Sequence, residues 1–122
     1  MFEVKKSKYG RGIFATRRIR KGELIHEAPV IISPNEEYKY LKKTILIEYA
    51  FWWGEDLEEC ALALGYGSLF NHSYTPNALY KLNLENQTID IFAYTEIKKG
   101  EEILINYNGE PDDDEPMWFD VF

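Results

Sequence analysis

Short apolar runs alternate with polar turns along most of the chain, and many of the runs are rich in β-branched and aromatic residues. Runs of this length and composition are more typical of strands than of helices. They predict strands at residues 2–5, 12–16, 23–32, 44–53, 78–84, 88–94 and 103–107. Pro29, inside the third run, lacks the N–H that a strand ladder needs, so we expect an edge or a bulge there. The pattern predicts a mainly β domain.

Two segments favour helix instead. Residues 36–43 follow the turn-forming run Ser33-Pro34-Asn35 and are long enough for one or two helical turns. Residues 56–64 begin with a good N-cap, Asp56, and carry Glu59 at the capping-box position. Their apolar residues recur at helical spacing: Leu57, Cys60, Ala61 and Leu64. We therefore expect one or two short helices among the strands.

The length of 122 residues favours a single domain that spans residues 1–122. No apolar run reaches the roughly 20 residues that cross a bilayer, and the first residues lack the apolar core of a secretory signal. We expect an intracellular protein without a membrane partner, cytoplasmic or, in a eukaryote, nuclear. Cys60 is the single cysteine, which excludes an internal disulfide and a multi-cysteine zinc cluster, and we expect no bound metal.

The formal net charge is −7, and it is unevenly distributed. Basic residues crowd the first fifth of the chain, whereas the run Asp112–Glu115 is wholly acidic. An acidic protein is poorly suited to direct nucleic-acid binding, which requires cations that neutralise phosphates. It is suited to a basic peptide partner, which long-range attraction would steer. The alternative is that the charge serves solubility alone.

Three motifs carry candidate chemistry, although each has an ordinary structural explanation when it is taken alone. Gly10-Arg11-Gly12 suits a hairpin turn, because glycine adopts positive φ and lets other groups approach the backbone. Asn71-His72-Ser73, shortly before Pro76, is typical of a capped turn. Tyr107 ends the predicted strand after Gly100-Glu101-Glu102, where a tyrosine commonly belongs to the core or its rim.

Together, in this order and at these spacings, the three motifs resemble the SET domain, the catalytic module of protein lysine methyltransferases. The resemblance covers about residues 4–107 and leaves residues 108–122 as an acidic and aromatic tail. It implies a β-clip-like fold of several small curved sheets with a C-terminal pseudoknot. It also implies an enzyme that transfers a methyl group from S-adenosylmethionine to the side-chain amine of a lysine. A histone-like basic protein is the expected substrate, and a ribosomal or other basic protein is equally allowed.

The resemblance implies a donor-binding site built from both ends of the chain. Its expected members are Lys8, Tyr9, Gly10, Arg11, Gly12, Asn71, His72 and Trp118. Lys8 would meet the donor's carboxylate, although it can equally be a solvated charge. Trp118 and its neighbour Phe119 would pack over the donor, or else they anchor the tail or a homodimer contact. His72 would act through its main chain and as a structural residue, not as a general base.

Two tyrosines are the expected catalytic residues. By resemblance, Tyr107 lies where methyl donor and lysine amine meet, and its hydroxyl aligns the amine. Tyr80 would line the lysine channel and limit the number of methyl groups, or it is a packing residue of the sheet. A lysine with a pKa near ~10.4 is protonated at neutral pH. An apolar, aromatic channel disfavours the ammonium and so favours the neutral amine that reacts.

The chain departs from the family at Ala28, where many members carry a tyrosine that contributes a channel hydroxyl. The cysteine-rich zinc flanks of several members are also missing. Two alternatives to the enzyme therefore remain open at the sequence level. One is a SET-fold binding module that holds the donor without transfer, and the other is a structural or interaction domain without either property.

Overall fold

The computed structural model describes residues 1–109, which form nine strands and a few short helices. The strands are β1 (Phe2–Ser7), β2 (Gly10–Ala15), β3 (Leu24–Ser33), β4 (Ala50–Trp53), β5 (Glu59–Ala63), β6 (Asn71–His72), β7 (Ala78–Asn83), β8 (Thr88–Ala93) and β9 (Leu104–Ile105). The α-helix is α1 (Tyr38–Leu41), and 3₁₀ helices occupy Asn35–Glu37, Ile45–Tyr49 and Gly67–Leu69. The predicted mainly β class with short helices is confirmed.

The strands form three small sheets. An antiparallel hairpin joins β1 to β2, and β6 pairs with β9 in parallel. The largest sheet has five antiparallel strands in the order β4-β5-β3-β8-β7. Its central strand changes partner along its length, because residues 24–29 pair with β8 and residues 30–33 pair with β5. Neighbouring strands of this sheet are therefore offset from one another.

Pro29 lies at the junction where β3 passes from one partner to the other. The expected edge or bulge at this residue is not found, because β3 is the central strand and its register shift lies between Leu24 and His26. The proline carbonyl accepts a hydrogen bond from the N–H of Leu64 (2.8 Å). A residue without an N–H is tolerated here because one ladder ends where the next begins.

The core lies beneath the five-stranded sheet and follows its alternation. Ile89, Ile91 and Ala93 of β8 are buried, whereas the residues between them are partly exposed. Side chains on alternate positions of a strand point to opposite faces, so one face of β8 supplies the core. Other fully buried residues of the core include Ile13, Ile19, Ala28, Ala61, Ala78, Ile97, Ile103 and Ile105.

The parallel pair of β6 and β9 brings two distant segments side by side, with Asn71 opposite Leu104 and His72 opposite Ile105. The side chain of Asn77 fixes the approach to β9. It donates to the carbonyl oxygen of Glu102 and accepts from the N–H of Leu104, both at 2.8 Å. The last strand is thus held to the Asn71–His72 strand, as the expected pseudoknot requires.

The helix predicted at residues 56–64 is wrong, because most of this segment is strand β5. Leu57, which would have lain in the first turn, has a φ of 54°, in the left-handed region that a right-handed helix does not use. Residues of β5 are hydrogen-bonded to β3 on one side and to β4 on the other. Partners on both sides outweigh an apolar spacing that local rules interpret as helical.

The strand predicted at residues 44–53 is only half correct. Residues 50–53 form β4, but residues 45–49 form a 3₁₀ helix. The Thr44 hydroxyl accepts a hydrogen bond from the N–H of Leu46 (3.3 Å), which is an N-cap interaction. Residues 36–43 are helical in part, as predicted. Within residues 1–109, no helix is long and apolar enough to span a membrane.

Candidate active site

The first part of the site is the hairpin of β1 and β2, where two glycines serve different purposes. Gly10 has a φ of 108°, which side-chain-bearing residues rarely adopt. Gly12 is required for space. A Cβ atom built on Gly12 would lie 3.1 Å from Nδ2 of Asn71 and would overlap the carboxylate of Glu102. Gly12 is therefore the point at which the hairpin contacts both β6, through Asn71, and the segment before β9, through Glu102.

Asn71 connects these three segments through its side-chain amide. Its Nδ2 donates to the carbonyl oxygen of Arg11 and to Oε2 of Glu102, each at 2.8 Å. The other carboxylate oxygen of Glu102 accepts from the hydroxyl of Ser7 (2.9 Å). The Ser7 oxygen in turn accepts from the N–H of Tyr9 (3.2 Å). A continuous hydrogen-bond chain thus runs from the hairpin turn to Asn71.

His72 is buried, with 4% of its surface exposed. Its Nδ1 accepts a hydrogen bond from the N–H of Tyr107 (3.0 Å), so this nitrogen carries no proton. Burial lowers the pKa of His72, which favours the neutral imidazole. The Nε2 atom is buried and has no hydrogen-bond partner among the described residues. A neutral imidazole that accepts a main-chain bond acts as a structural support for Tyr107.

Tyr107 follows β9 and is held at both ends. Its N–H donates to His72, and its hydroxyl donates to the carbonyl oxygen of Phe70 (2.7 Å). Burial, with smaller contributions from Tyr49 and Glu102, raises the pKa of the Tyr107 phenol well above its usual value. The phenol is therefore neutral at any physiological pH and presents a hydroxyl, not a phenolate, to its surroundings.

A cavity of about 650 Å³ opens on one side of Tyr107. Tyr80 shares it, and the Tyr80 hydroxyl donates to the carbonyl oxygen of Tyr107 at 3.3 Å. The Tyr80 ring packs edge-on against Phe51, with 4.9 Å between centroids. Other lining residues are Glu48, Tyr49, Ala50, Trp52, Leu57, Gly67, Ser68, Phe70, Lys81, Leu82, Asn108 and Gly109. The cavity is largely aromatic and can hold an extended, flexible side chain.

The short stretch Phe70–His72 contacts both halves of the site. Phe70 lines the cavity and accepts the Tyr107 hydroxyl, whereas Asn71, the next residue, bonds to the glycine hairpin. Strand β6 and the residue before it therefore link the aromatic cavity to the glycine hairpin. Two residues of this stretch, Phe70 and His72, also hold Tyr107 through hydrogen bonds.

The structure brings most of the predicted site residues together. Arg11, Gly12 and Asn71 are in direct contact, and Tyr80 bonds to Tyr107. Lys8 is exposed, and its Nζ lies 5.0 Å from the centre of the Tyr9 ring. Trp118 lies outside the described residues. Among residues 1–109, no group of three His, Cys, Asp or Glu side chains could hold a metal ion.

Some members of this arrangement were not assigned from the sequence. Glu102 was visible within the Gly-Glu-Glu run, but nothing local indicated that its carboxylate would meet Asn71. Tyr49 was assigned to a strand, whereas it ends a 3₁₀ helix and lines the cavity. Ala28 does not line the cavity, and its methyl group packs beneath Gly67, fully buried.

Comparisons with known proteins place this geometry in context. The sequence model of the SET domain family matches residues 10–108. A relative from Schizosaccharomyces pombe, a histone-lysine N-methyltransferase specific for lysine 37 of H3, is 37% identical over 112 residues. The match spans 91% of this chain and 71% of the relative.

Solved structures agree in fold. A Plasmodium falciparum protein, described as a candidate histone methyltransferase, superimposes with a TM-score of 0.71 at 33% identity. The match covers 90% of this chain and 99% of that one. Polycomb Repressive Complex 2 from Chaetomium thermophilum, bound to S-adenosylmethionine, gives a TM-score of 0.71 at 22% identity. That match covers 87% of this chain and 15% of the other, and it shows the fold alone.

Proposed function

The chain belongs to the SET domain family, and we propose that it is an S-adenosylmethionine-dependent protein-lysine N-methyltransferase. The observation that carries the proposal is the position of Tyr107. Its hydroxyl is hydrogen-bonded to the carbonyl oxygen of Phe70, which lines the aromatic cavity and directly precedes Asn71, the residue that contacts Gly12. A reaction between two bound molecules needs such a junction, where a fixed hydroxyl can align the reacting groups.

The aromatic cavity suits a lysine side chain. Lysine reacts only as the neutral amine, and an environment of aromatic rings disfavours the ammonium form. Phe51, Phe70 and Tyr80 supply such surfaces. Glu48 and Lys81 also line the cavity, and both are exposed, so charged groups lie toward the solvent side. The charged groups of the cavity lining are thus one acid and one base on the solvent side, whereas the interior offers apolar surfaces to a deprotonated amine.

Tyr107 would hold the amine in line with the methyl group through its neutral hydroxyl. Its raised phenol pKa keeps the hydroxyl intact throughout the reaction. Tyr80, anchored to the Tyr107 carbonyl and to Phe51, would narrow the cavity beside it. A narrow channel leaves little room for rotation of a methylated amine, so we propose that few methyl groups are added.

The region around Asn71 and the glycine hairpin is the proposed site for S-adenosylmethionine, which supplies an electrophilic methyl group on a positively charged sulfur. Gly10 has open space at its Cβ position, so the backbone of the hairpin turn can approach a ligand closely there. Residues 9–12, Asn71 and His72 would bind the donor, Lys8 would reach its carboxylate, and Trp118 would cover it. The half-buried carboxylate of Glu102 adds negative charge beside a cationic ligand.

A basic protein is the proposed substrate. The S. pombe relative acts on a histone, and the acidic run Asp112–Glu115 follows within a few residues of Gly109, which lines the cavity. A histone-like tail would complement both the acidic run and Glu48. An enzyme of this kind must share a compartment with its substrate, which we propose is the nucleus or the cytoplasm.

The inactive alternative loses its main support. It rested on Ala28 as a missing channel hydroxyl, but this residue is packed in the core beneath Gly67. A tyrosine would have no room there. The absence of a hydroxyl at residue 28 is therefore a packing feature of this chain and does not leave a gap in the cavity wall.

Calorimetric titration of S-adenosylmethionine tests the donor site without knowledge of the substrate. Saturable binding is expected for the wild type, and Asn71→Ala should weaken it roughly 100-fold, because the amide that faces the donor is gone. The absence of wild-type binding at millimolar donor would contradict the proposal.

Tyr107→Phe then tests catalysis. The variant should lower turnover on a basic peptide roughly a hundredfold, since an aligning hydroxyl contributes on this scale, with donor affinity nearly unchanged. Tyr94→Phe, which removes a hydroxyl from an exposed tyrosine outside the site, is the matched control. An equal loss of donor affinity and turnover in Tyr107→Phe would contradict the catalytic role proposed for the Tyr107 hydroxyl.

A further inference from the structure

We infer that Glu102 is a positioning residue that sets the side-chain amide of Asn71 so that its oxygen faces the ammonium group of the methyl donor. The inference rests on the proposed function and assigns a role to a carboxylate that neither the sequence motifs nor the reaction chemistry requires.

The partners of Asn71 determine which way its amide points. The main-chain carbonyl of Arg11 and the carboxylate of Glu102 can only accept hydrogen bonds. Both lie 2.8 Å from the same atom of the amide, which must therefore be Nδ2. Both N–H groups are thus used within the protein, and the atom left for a ligand is the carbonyl oxygen Oδ1. An acceptor in this position recognises an ammonium group and not a carboxylate.

Glu102 is itself held from three directions. Its Oε1 accepts from Ser7 (2.9 Å), and its main-chain carbonyl accepts from Asn77 (2.8 Å). Its backbone also forms an isolated antiparallel bridge with Phe14 of β2. A carboxylate fixed in this way can impose an orientation on its neighbour, because it cannot rotate away without breaking contacts to β1 and β2. Gly12 leaves it the room to do so.

A glutamine at residue 102 would preserve the shape and remove one of the two constraints. Its amide can present either an oxygen or an NH₂ group to Asn71, so only the Arg11 carbonyl still favours the observed orientation of the Asn71 amide. In the reversed orientation Nδ2 faces the ligand. The Asn71 NH₂ group and the ligand's ammonium group are both hydrogen-bond donors, so no hydrogen bond can form between them. Some of the protein would then be unable to bind the amino group, and the affinity for a donor that carries it would fall.

The test compares two ligands by calorimetry: S-adenosylmethionine and 5′-methylthioadenosine, which has the nucleoside and a sulfur but lacks the amino-acid arm. Glu102→Gln should weaken S-adenosylmethionine binding roughly 10- to 100-fold, the size expected for a charge-assisted hydrogen bond. Binding of 5′-methylthioadenosine should be unchanged. Glu101→Gln, which removes the neighbouring exposed carboxylate, is the matched control and should behave as the wild type with both ligands.

A double-mutant cycle separates positioning from a general charge effect. With Asn71→Ala already present, Glu102→Gln should cause little further loss, because Glu102 acts through Asn71. Additive losses, an equal loss for the two ligands, or an unchanged affinity for S-adenosylmethionine would each overturn the inference while leaving the donor site in place. A wild type that binds neither nucleoside would overturn the donor site itself, and this inference with it.

Discussion

At the scale of single residues, the two histidines share an uncommon feature: each accepts a main-chain hydrogen bond as a neutral imidazole. Nε2 of His26 accepts from the N–H of Tyr66 (3.3 Å), and Nδ1 of His72 accepts from the N–H of Tyr107 (3.0 Å). Burial lowers the pKa of both, although Glu27 opposes the shift at His26. Protonation would convert Nε2 of His26 or Nδ1 of His72 from an acceptor into a donor, and the hydrogen bond with the main-chain N–H group would be lost.

This arrangement predicts that stability depends on pH. A histidine whose pKa is lower in the folded state binds protons preferentially when unfolded, so stability rises with pH. The contribution is complete above the unfolded value of about 6.5 and is lost as the pH falls toward the lower folded value. The free energy of unfolding, measured with urea, should therefore be smaller at pH 5.5 than at pH 7.5.

Substitution by amides provides the control. Gln at residue 26 and Asn at residue 72 keep an acceptor near Nε2 and Nδ1, respectively, but do not titrate in this range. The variant with His26→Gln and His72→Asn should show a flatter pH dependence over the same interval. An equally steep dependence in this variant would assign the effect to other groups.

At the scale of elements, one contact ties two strands to the segment that leads into the site. A Cβ atom on Gly67 would lie 2.6 Å from the methyl groups of Ala28 on β3 and Ala63 on β5. Gly67 begins the 3₁₀ helix that precedes Phe70 and Asn71. The close approach of this helix to the sheet therefore fixes the position of Phe70 and Asn71 relative to the core.

Gly67→Ala should lower the free energy of unfolding by about 1–3 kcal/mol, the usual cost of overpacking a core. Chemical denaturation would measure the change. The double variant with Ala28→Gly removes one of the two clashing methyl groups and should recover part of the loss. If Gly67→Ala were as stable as the wild type, the packing described for this turn would be incorrect.

Elements whose partners are close in sequence were predicted correctly, whereas elements that depend on distant partners or on a cap were not. Hairpins such as β7 and β8 were predictable because their two strands are adjacent in sequence and alternate cleanly around a turn. The segment at residues 56–64 was mistaken for a helix because β5 gains its hydrogen bonds from β3 and β4, which a local pattern does not reveal. Residues 45–49 were mistaken for strand because a threonine cap outweighs β-propensity.

The candidate site shows the same division. The glycines, Asn71, His72 and Tyr107 were found because each sits in a recognisable motif. Glu102 was not assigned, since its role depends on Ser7 and Asn71, which are 95 and 31 residues away along the chain. Contacts that join distant segments, and not the motifs themselves, were the part that the sequence could not reveal.

At the scale of the whole molecule, charge is divided unevenly between residues 1–109 and residues 110–122. All 14 lysines and arginines precede Gly109, whereas six of the 21 acidic residues follow it: Glu110, Asp112, Asp113, Asp114, Glu115 and Asp120. The residues before this point are nearly neutral overall, so the tail carries most of the net charge. The homodimer expected from Trp118 and Phe119 involves residues outside the described range.

Neutralising the acidic run Asp112–Glu115 should raise KM for a lysine- and arginine-rich peptide several-fold at low salt, with little change in kcat. The difference should shrink near 1 M salt, where the screening length falls to about 3 Å. The matched control neutralises four exposed acids that do not line the cavity: Glu3, Glu36, Glu37 and Glu85. If the control raised KM by the same factor, the effect would come from the net charge of the protein and not from the position of the acidic run.

The pairing of β6 with β9 has a consequence for the way the protein is made. Synthesis proceeds from the N-terminus, so the glycine hairpin and the Asn71 strand exist before β9 does. Until β9 docks, Tyr107 has no fixed position, Glu102 is not held by Asn77, and Asn71 lacks one of its two partners. An interrupted or partly unfolded chain would therefore lack the contacts that assemble the proposed donor site. Donor binding would therefore indicate that folding is complete. A chain in which β9 has not docked would neither bind the donor nor transfer a methyl group.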